Sequence, residues 1–178
     1  QCDQAAPLKL IIDPIDGTQN FVGGIPIFGS LLAIEKNGDI IAGHVSCPML
    51  QEQWWATRGA GSFYSSYFEP ERKLQVSSIS EIADSQALYG SLFGFEATGS
   101  NKAAVVELLS QTKRQRGLGD FYPHVLVAMG AGEFAMDYNI NPWDVAPLKL
   151  IVEEAGGRYS DINGVDTIYS GTILTSNG

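Results

Sequence analysis

The sequence predicts a layered α/β fold, α+β in the sense that a purely antiparallel sheet comes first and a mixed α/β half follows. Three observations point there. Paired apolar runs split by turn residues fill the first third, helical apolar spacing alternates with short strands after Leu74, and no linker is long enough to separate independent domains. The expectation is a single domain over residues 1–178, with 1–75 forming the antiparallel half and 76–178 the mixed half.

In chain order, "LKLIID" (8–13) reads as a largely buried strand, because a short apolar run stops at Asp-Pro. Residues 29–48 form two apolar runs divided by Lys36-Asn37-Gly38-Asp39, a hairpin signal in which Asn-Gly accepts positive φ. "EQWWATRGAGSFY" (52–64) repeats strand, glycine-rich turn and strand, giving a sheet of at least four strands with one ring of the Trp54-Trp55 pair facing in. Glu69, Glu71, Arg72 and Lys73 read as a solvated surface, and Ser77 to Asp84 as a polar linker. A short strand follows at "QALYG" (86–90), then a helix over 101–113. "FYPHVLVAMGAG" (121–132) predicts a helix ending at glycine, "EFAMD" (133–137) a strand and "WDVAPLKLIVEEAGG" (143–157) a helix ending at Gly156. "GRYSD" and "GTILT" supply the last strands.

Composition narrows the function. A formal net charge of −9 argues against a phosphate-backbone binder and allows sites for cations. Cys2 and Cys47 have neither zinc nor disulfide spacing and read as reduced thiols of a cytoplasmic protein. No apolar stretch has the length of a membrane span, and residues 1–7 lack the features of a signal peptide. The chain starts without Met and enters a strand almost at once, so it reads as a piece of a longer one.

The chemistry starts at "DPIDGT". Asp before Pro, and Asp-Gly, are ordinary turn formers, and a turn alone would explain them. Against that stands the combination, a strand delivering two carboxylates, a constrained Pro14 and then Gly17-Thr18 to one tip. Carboxylates that close repel unless a cation lies between them. A hard ion such as Mg2+ takes oxygen ligands and keeps waters and substrate phosphate beside them. Asp13 and Asp16 offer two ligands and the Ile15 carbonyl a third, while the amides of Gly17 and Thr18 suit a phosphate oxygen. The nucleophilic-aspartate pattern D-x-D-G-T of the haloacid dehalogenase class fails on spacing, because Pro14 occupies the nucleophile's place.

Asp144 is the distant acid best placed to join them. It reads as a helix N-cap, with Val145, Leu148, Ile151, Val152 and Ala155 on one face, Pro147 in the first turn and Trp143 beside it in the core. A helix start opening on a cleft is also where anionic groups gather, so both roles hold together.

Taken together, "DPIDGTQNF" and "WDVAPLKLIVEEAGG" resemble the inositol monophosphatase family of Mg2+-dependent, lithium-sensitive phosphatases, over nearly the whole chain. The resemblance implies that family's alternating α and β layers, two or three Mg2+ ions per site and a homodimer. It implies catalytic roles for Asp13, Asp16 and Thr18, metal binding by Asp13, Ile15, Asp16 and Asp144, and phosphate binding by Gly17 and Thr18. In-line attack on phosphorus by a metal-activated water follows, with no phosphoenzyme. Family members carry a metal-binding Glu ahead of the first motif. Asp3 lies too near the strand to replace it, so the chain reads as N-terminally truncated.

Residues 116–144 resemble the histidinol-phosphatase branch through Arg116, Gly119, Asp120, Tyr122 and Asn141, which implies substrate contacts from Arg116, Asp120 and Asn141. Asp137 occupies the position where inositol phosphatases place a hydroxyl-binding acid. Asp120 would pair with an ammonium and Asn141 with an imidazole nitrogen. Plainer readings stand beside these, Arg116 ending a surface strand, Asp120 capping a helix at Phe121, and Asn141-Pro142 making a turn. Phe121, Pro123 and Gln19-Asn20 depart from that branch. His44 and His124 have no partner at ligand spacing and read as structural. The expected function is hydrolysis of a small phosphate ester, histidinol phosphate first, with inositol, sugar or nucleotide phosphates as alternatives. The alternative of another class is a non-catalytic domain that keeps the fold to bind metal or phosphate.

Overall fold

The computed structural model describes residues 6–92 and 102–178; the expectations for Cys2, Asp3 and Asn101 lie outside them. The fold is mixed α/β. The first sheet is six-stranded and antiparallel, in the sequential order β1 (Leu8–Asp16), β2 (Gly29–Lys36), β3 (Asp39–Cys47), β4 (Glu52–Thr57), β5 (Gly61–Ser66) and β6 (Arg72–Lys73). The hairpin between β2 and β3 turns at Asn37 (φ 53°) and Gly38 (φ 93°), as the Asn-Gly signal predicts. The second sheet is mixed, in the order β10 (Arg158–Ser160), β11 (Thr172–Ser176), β9 (Phe134–Tyr138), β7 (Gln86–Tyr89) and β8 (Arg114–Gly117). Its β7 runs parallel to both β8 and β9.

Helices α3 (Tyr122–Ala128) and α4 (Pro142–Glu154) fill the space between the sheets, α4 touching β1 to β5 on one side and β10 and β11 on the other. The main core is built there from Leu31, Val45 and Trp54 of the first sheet and Leu150, Ile151 and Val152 of α4. A smaller cluster joins Val105 and Leu109 of α2 (Lys102–Ser110) to Ala87, Phe134 and Met136 on the second sheet. Sheet, helices, sheet and helix thus alternate, because each sheet has an apolar face that needs a helix over it.

Two contacts set how closely the layers approach. A Cβ on Gly43 of β3 would lie 3.0 Å from both Cα and O of Pro147, so glycine lets α4 rest on the strand backbone. Trp54 is the buried ring of its pair, and its Nε1–H donates to the Met129 thioether Sδ at 3.1 Å, tying the first sheet to the end of α3.

Several sequence expectations change. The first strand is not largely buried; it is an edge strand running to Asp16, with Leu8, Leu10 and Ile12 exposed. Trp143 is 45% exposed rather than in the core, and it lines an apolar groove of about 640 Å³ with Leu10, Ile12 and Tyr169. The helix of "WDVAPLKL" starts at Pro142, so Asn141 is its N-cap, Asp144 is the third helical residue and Pro147 lies inside the helix. Helix α3 is shorter than its apolar pattern, ending before Gly130 at φ 74°. The solvated surface at 69–73 contains strand β6, where Arg72 pairs with Glu69 at 2.7 Å and its guanidinium sits 4.9 Å from the Tyr64 ring centre.

The Gly43 contact makes a prediction. Gly43→Ala is expected to destabilise the chain by about 1–3 kcal/mol, because the methyl meets helix backbone and cannot be accommodated by a rotamer change. Urea unfolding checks it, and an unchanged midpoint would mean that α4 can move off β3.

Candidate active site

The tip of β1 is shaped by its own side chains. Pairing with β2 slips between Asp13 and Asp16, and there Asp13 Oδ1 accepts the Ile15 N–H at 2.9 Å. The Ile15 carbonyl accepts the Thr18 hydroxyl at 3.0 Å, and Gly17 turns through the left-handed region (φ 76°) into the short helix α1 (Thr18–Gly23). Only a residue without Cβ turns there at no cost, and a Cβ would also crowd Ile27 O and Asp120 Oδ2. The turn reading of "DPIDGT" and the site reading are therefore the same geometry.

Asp13, Asp16 and Asp144 converge, each offering a carboxylate oxygen within 4.8 Å of the others. Asp144 arrives through the capping of α4, where its Oδ2 accepts the Asn141 N–H at 2.8 Å. Asp16 is 7% exposed and accepts the Phe121 N–H at 2.9 Å. Burial pushes its carboxyl pKa up to about 8, with the Asp120 carboxylate adding to the rise and the Phe121 N–H opposing it. Asp144 is raised to about 6, burial again first, with Asp13 adding to the rise. These all-oxygen donors, held together against their own repulsion, fit a hard divalent cation, which would favour their ionised forms.

Asp16 and Asp144 line a cavity of about 450 Å³ together with Asp120, Asp137 and His124. Asp120 does not cap a helix. It sits at φ 55°, and its Oδ2 accepts the Asn20 amide at 2.9 Å. Burial raises its pKa, and so does the charge of Asp13. Asp137 on β9 is raised to about 6 by burial, although its Oδ1 accepts the Tyr138 N–H at 2.8 Å. A Cβ on Gly90 would overlap the Asp137 carboxylate, so glycine there leaves the acid its room.

Two expected substrate residues stand outside the cavity lining. Arg116 lies exposed on β8 with Nη1 donating to the Gln115 carbonyl at 2.7 Å. Asn141 is occupied as the cap of α4, its main-chain and side-chain amides both directed at Asp144. His44 pairs with Gln53 at 3.3 Å away from the cavity, while His124 both packs in the core and lines the cavity. Ligand spacing in the sequence tests His124 only for metal binding, so it carries no signal for this second role. Gln19 and Ser91 also line the cavity; Gln19 falls within the "DPIDGTQNF" motif without a role assigned to it there, and no local pattern marks Ser91.

The profile of the inositol monophosphatase family matches residues 3–178. The histidinol-phosphatase of Mycobacterium tuberculosis is 39% identical over 168 residues, covering 94% of this chain and 64% of that protein. The histidinol-phosphatase of Streptomyces coelicolor is 35% identical over 176 residues, covering 97% and 66%. Among solved structures, an IMPase of Thermotoga maritima superposes with a TM-score of 0.84 at 33% identity, covering 98% of this chain and 66% of that one. The chain thus spans just under two thirds of the length of these relatives.

The raised acids give a pH dependence. Between the ordinary value of 3.8 and about 8, folded Asp16 binds more protons than the unfolded chain does. Without a divalent cation its contribution is therefore full below about pH 4 and is lost as pH rises toward 8. The melting temperature of wild type relative to Asp16→Asn is expected to fall across that window, and Mg2+ to reverse the fall while releasing protons. Scanning calorimetry in buffers of different ionisation enthalpy checks both; a relative stability that climbs with pH would refute the assignment.

Proposed function

The chain belongs to the inositol monophosphatase family, and on that premise we propose that the whole protein is a Mg2+-dependent phosphomonoesterase whose substrate is histidinol phosphate. The observation that carries the substrate is Asp120, which lines the cavity that Asp16 and Asp144 enter. With two Mg2+ bound, the metal charge is already offset by Asp13, Asp16, Asp144 and the phosphate, which leaves Asp120 without a counter-charge. An ammonium on the alcohol supplies one. A neutral inositol ring does not. The similarity to histidinol-phosphatases of two bacteria supports the same reading.

In this reading Asp13, Asp16, Asp144 and the Ile15 carbonyl hold two or three Mg2+ ions. When bound, Mg2+ supplies an acidified water and neutralises charge on the phosphoryl oxygens. The chain's own groups do the positioning. The Gly17 and Thr18 amides face the phosphate, and the Thr18 hydroxyl, anchored on Ile15 O, is set to orient a water. Asp120, steadied by Asn20, takes the ammonium, and Asp137 is placed beside it for a further polar group of the alcohol. The reading includes a cytoplasmic homodimer without nucleic-acid or membrane partners. The net charge of −9 agrees with the first exclusion, and among the described residues no helix is long and apolar enough to cross a membrane.

The test uses the full-length protein with histidinol phosphate, inositol 1-phosphate and 3'-phosphoadenosine 5'-phosphate, following phosphate release with and without Mg2+. Histidinol phosphate is expected to give the highest kcat/KM. Asp16→Asn is expected to lower kcat by about a hundredfold or more, since it removes charge at the reacting centre. Asp120→Asn is expected to raise KM for histidinol phosphate about tenfold, the loss of one charge-assisted contact. A preference for inositol 1-phosphate, or full turnover by Asp16→Asn, would overturn the proposal.

A further inference from the structure

His124 is 1% exposed, and yet it lines the cavity. Its Nδ1 lies 2.8 Å from the hydroxyl of Thr175 on β11, a residue with no exposure at all. Among the described residues, the one sealed side-chain nitrogen or oxygen without a hydrogen-bond partner is Ser62 Oγ. His124 Nε2 has no hydrogen-bond partner among the described residues, and the ring lines the cavity.

The hydrogen bond to Thr175 selects the tautomer. Among the described residues, the Thr175 hydroxyl has His124 as its one side-chain partner. Were Nδ1 to carry the proton, the hydroxyl hydrogen would be buried with no acceptor. With the hydroxyl donating to Nδ1, only lone pairs go unused, which costs less. The imidazole proton is then on Nε2, as a donor toward the cavity. Burial pushes the His124 pKa down to about 3, so the ring stays neutral near pH 7. The cavity lining also includes the apolar side chains Phe121, Leu148 and Ile173, and a neutral donor in a cavity that is partly apolar suits the edge of a heteroaromatic ring.

We propose that His124 is a specificity-determining residue, its Nε2–H donating to a ring nitrogen on the alcohol portion of the phosphate ester. The proposal rests on the phosphomonoesterase reading above. It gives His124 the role expected of Asn141, whose amides are directed at Asp144 instead.

The experiment compares histidinol phosphate with leucinol phosphate, which keeps the ammonium and replaces the ring by an apolar group. The full-length protein is assayed as wild type, His124→Gln and His124→Asn. A glutamine amide reaches the place of Nε2, whereas an asparagine amide reaches only that of Nδ1 and keeps the bond to Thr175. The ratio of kcat/KM for the two esters is expected to fall about tenfold in His124→Asn, chiefly through KM, and to stay within about threefold in His124→Gln. Thr175→Val, which removes the hydroxyl that selects the tautomer, is expected to lower the same ratio. A ratio unchanged in His124→Asn, or kept by Asn and lost by Gln, overturns the role of His124 and leaves the phosphatase reading standing. No Mg2+-dependent hydrolysis of either ester by wild type overturns both.

Discussion

The buried carboxylate of Asp16, accepting the main-chain N–H of Phe121, is the contact on which the rest of the site depends. It spans 105 positions of sequence and fastens the tip of the first sheet to the start of α3. Because the bond is to main chain, it positions the residues around Phe121, above all Asp120 on the N-terminal side and His124 one helical turn on. It also keeps Asp16 in a place where ionisation is unfavourable, with burial and the Asp120 charge both holding the proton on. A carboxylate held like this gains from a cation more than an exposed one does, since the cation replaces lost solvation as well as repulsion.

Asp144 shows a related economy. Its Oδ2 accepts the N–H of Asn141, one of the main-chain groups that every helix start leaves without an intrahelical partner. The same carboxylate lies within reach of Asp13 and Asp16. Capping and site geometry therefore constrain each other, and α4 can approach the first sheet closely enough for this only because Gly43 offers no side chain to Pro147. Moving the helix outward by the width of a methyl group would shift Asp144 with it.

The cavity has two chemical characters. Asp16 and Asp144 belong to the clustered acids suited to a cation, while Asp120, Asp137 and His124 line the rest of the space. Each of the latter is steadied from behind, Asp120 by Asn20, Asp137 by the Tyr138 N–H, and His124 by Thr175. Groups whose orientation is already fixed lose less freedom when a ligand binds, which favours selective binding.

Local sequence determined a good deal. Turn chemistry announced the β2–β3 hairpin, apolar periodicity announced α2 and α4, and the crowding of Asp13, Asp16, Gly17 and Thr18 announced a site, because each of these signals is complete within a few residues. What sequence could not determine is what lies against each element. The apolar run of β1 looked like a core strand, yet its place at the sheet edge leaves Leu8, Leu10 and Ile12 exposed. Trp143 looked buried and is not, and Asp144 looked like the N-cap but is the third-position acid of a capping box, because Asn141 holds the N-cap of α4. Arg116 and Asn141 fit a substrate motif by spacing, but strand β8 and the α4 cap take them out of the cavity lining. His124 enters that lining only because α3 packs against β11, a meeting of residues 51 positions apart that no local pattern encodes. The types of the clustered acids are thus written in short motifs, while their surroundings, and with them their pKa values, are decided by which layers the fold brings together.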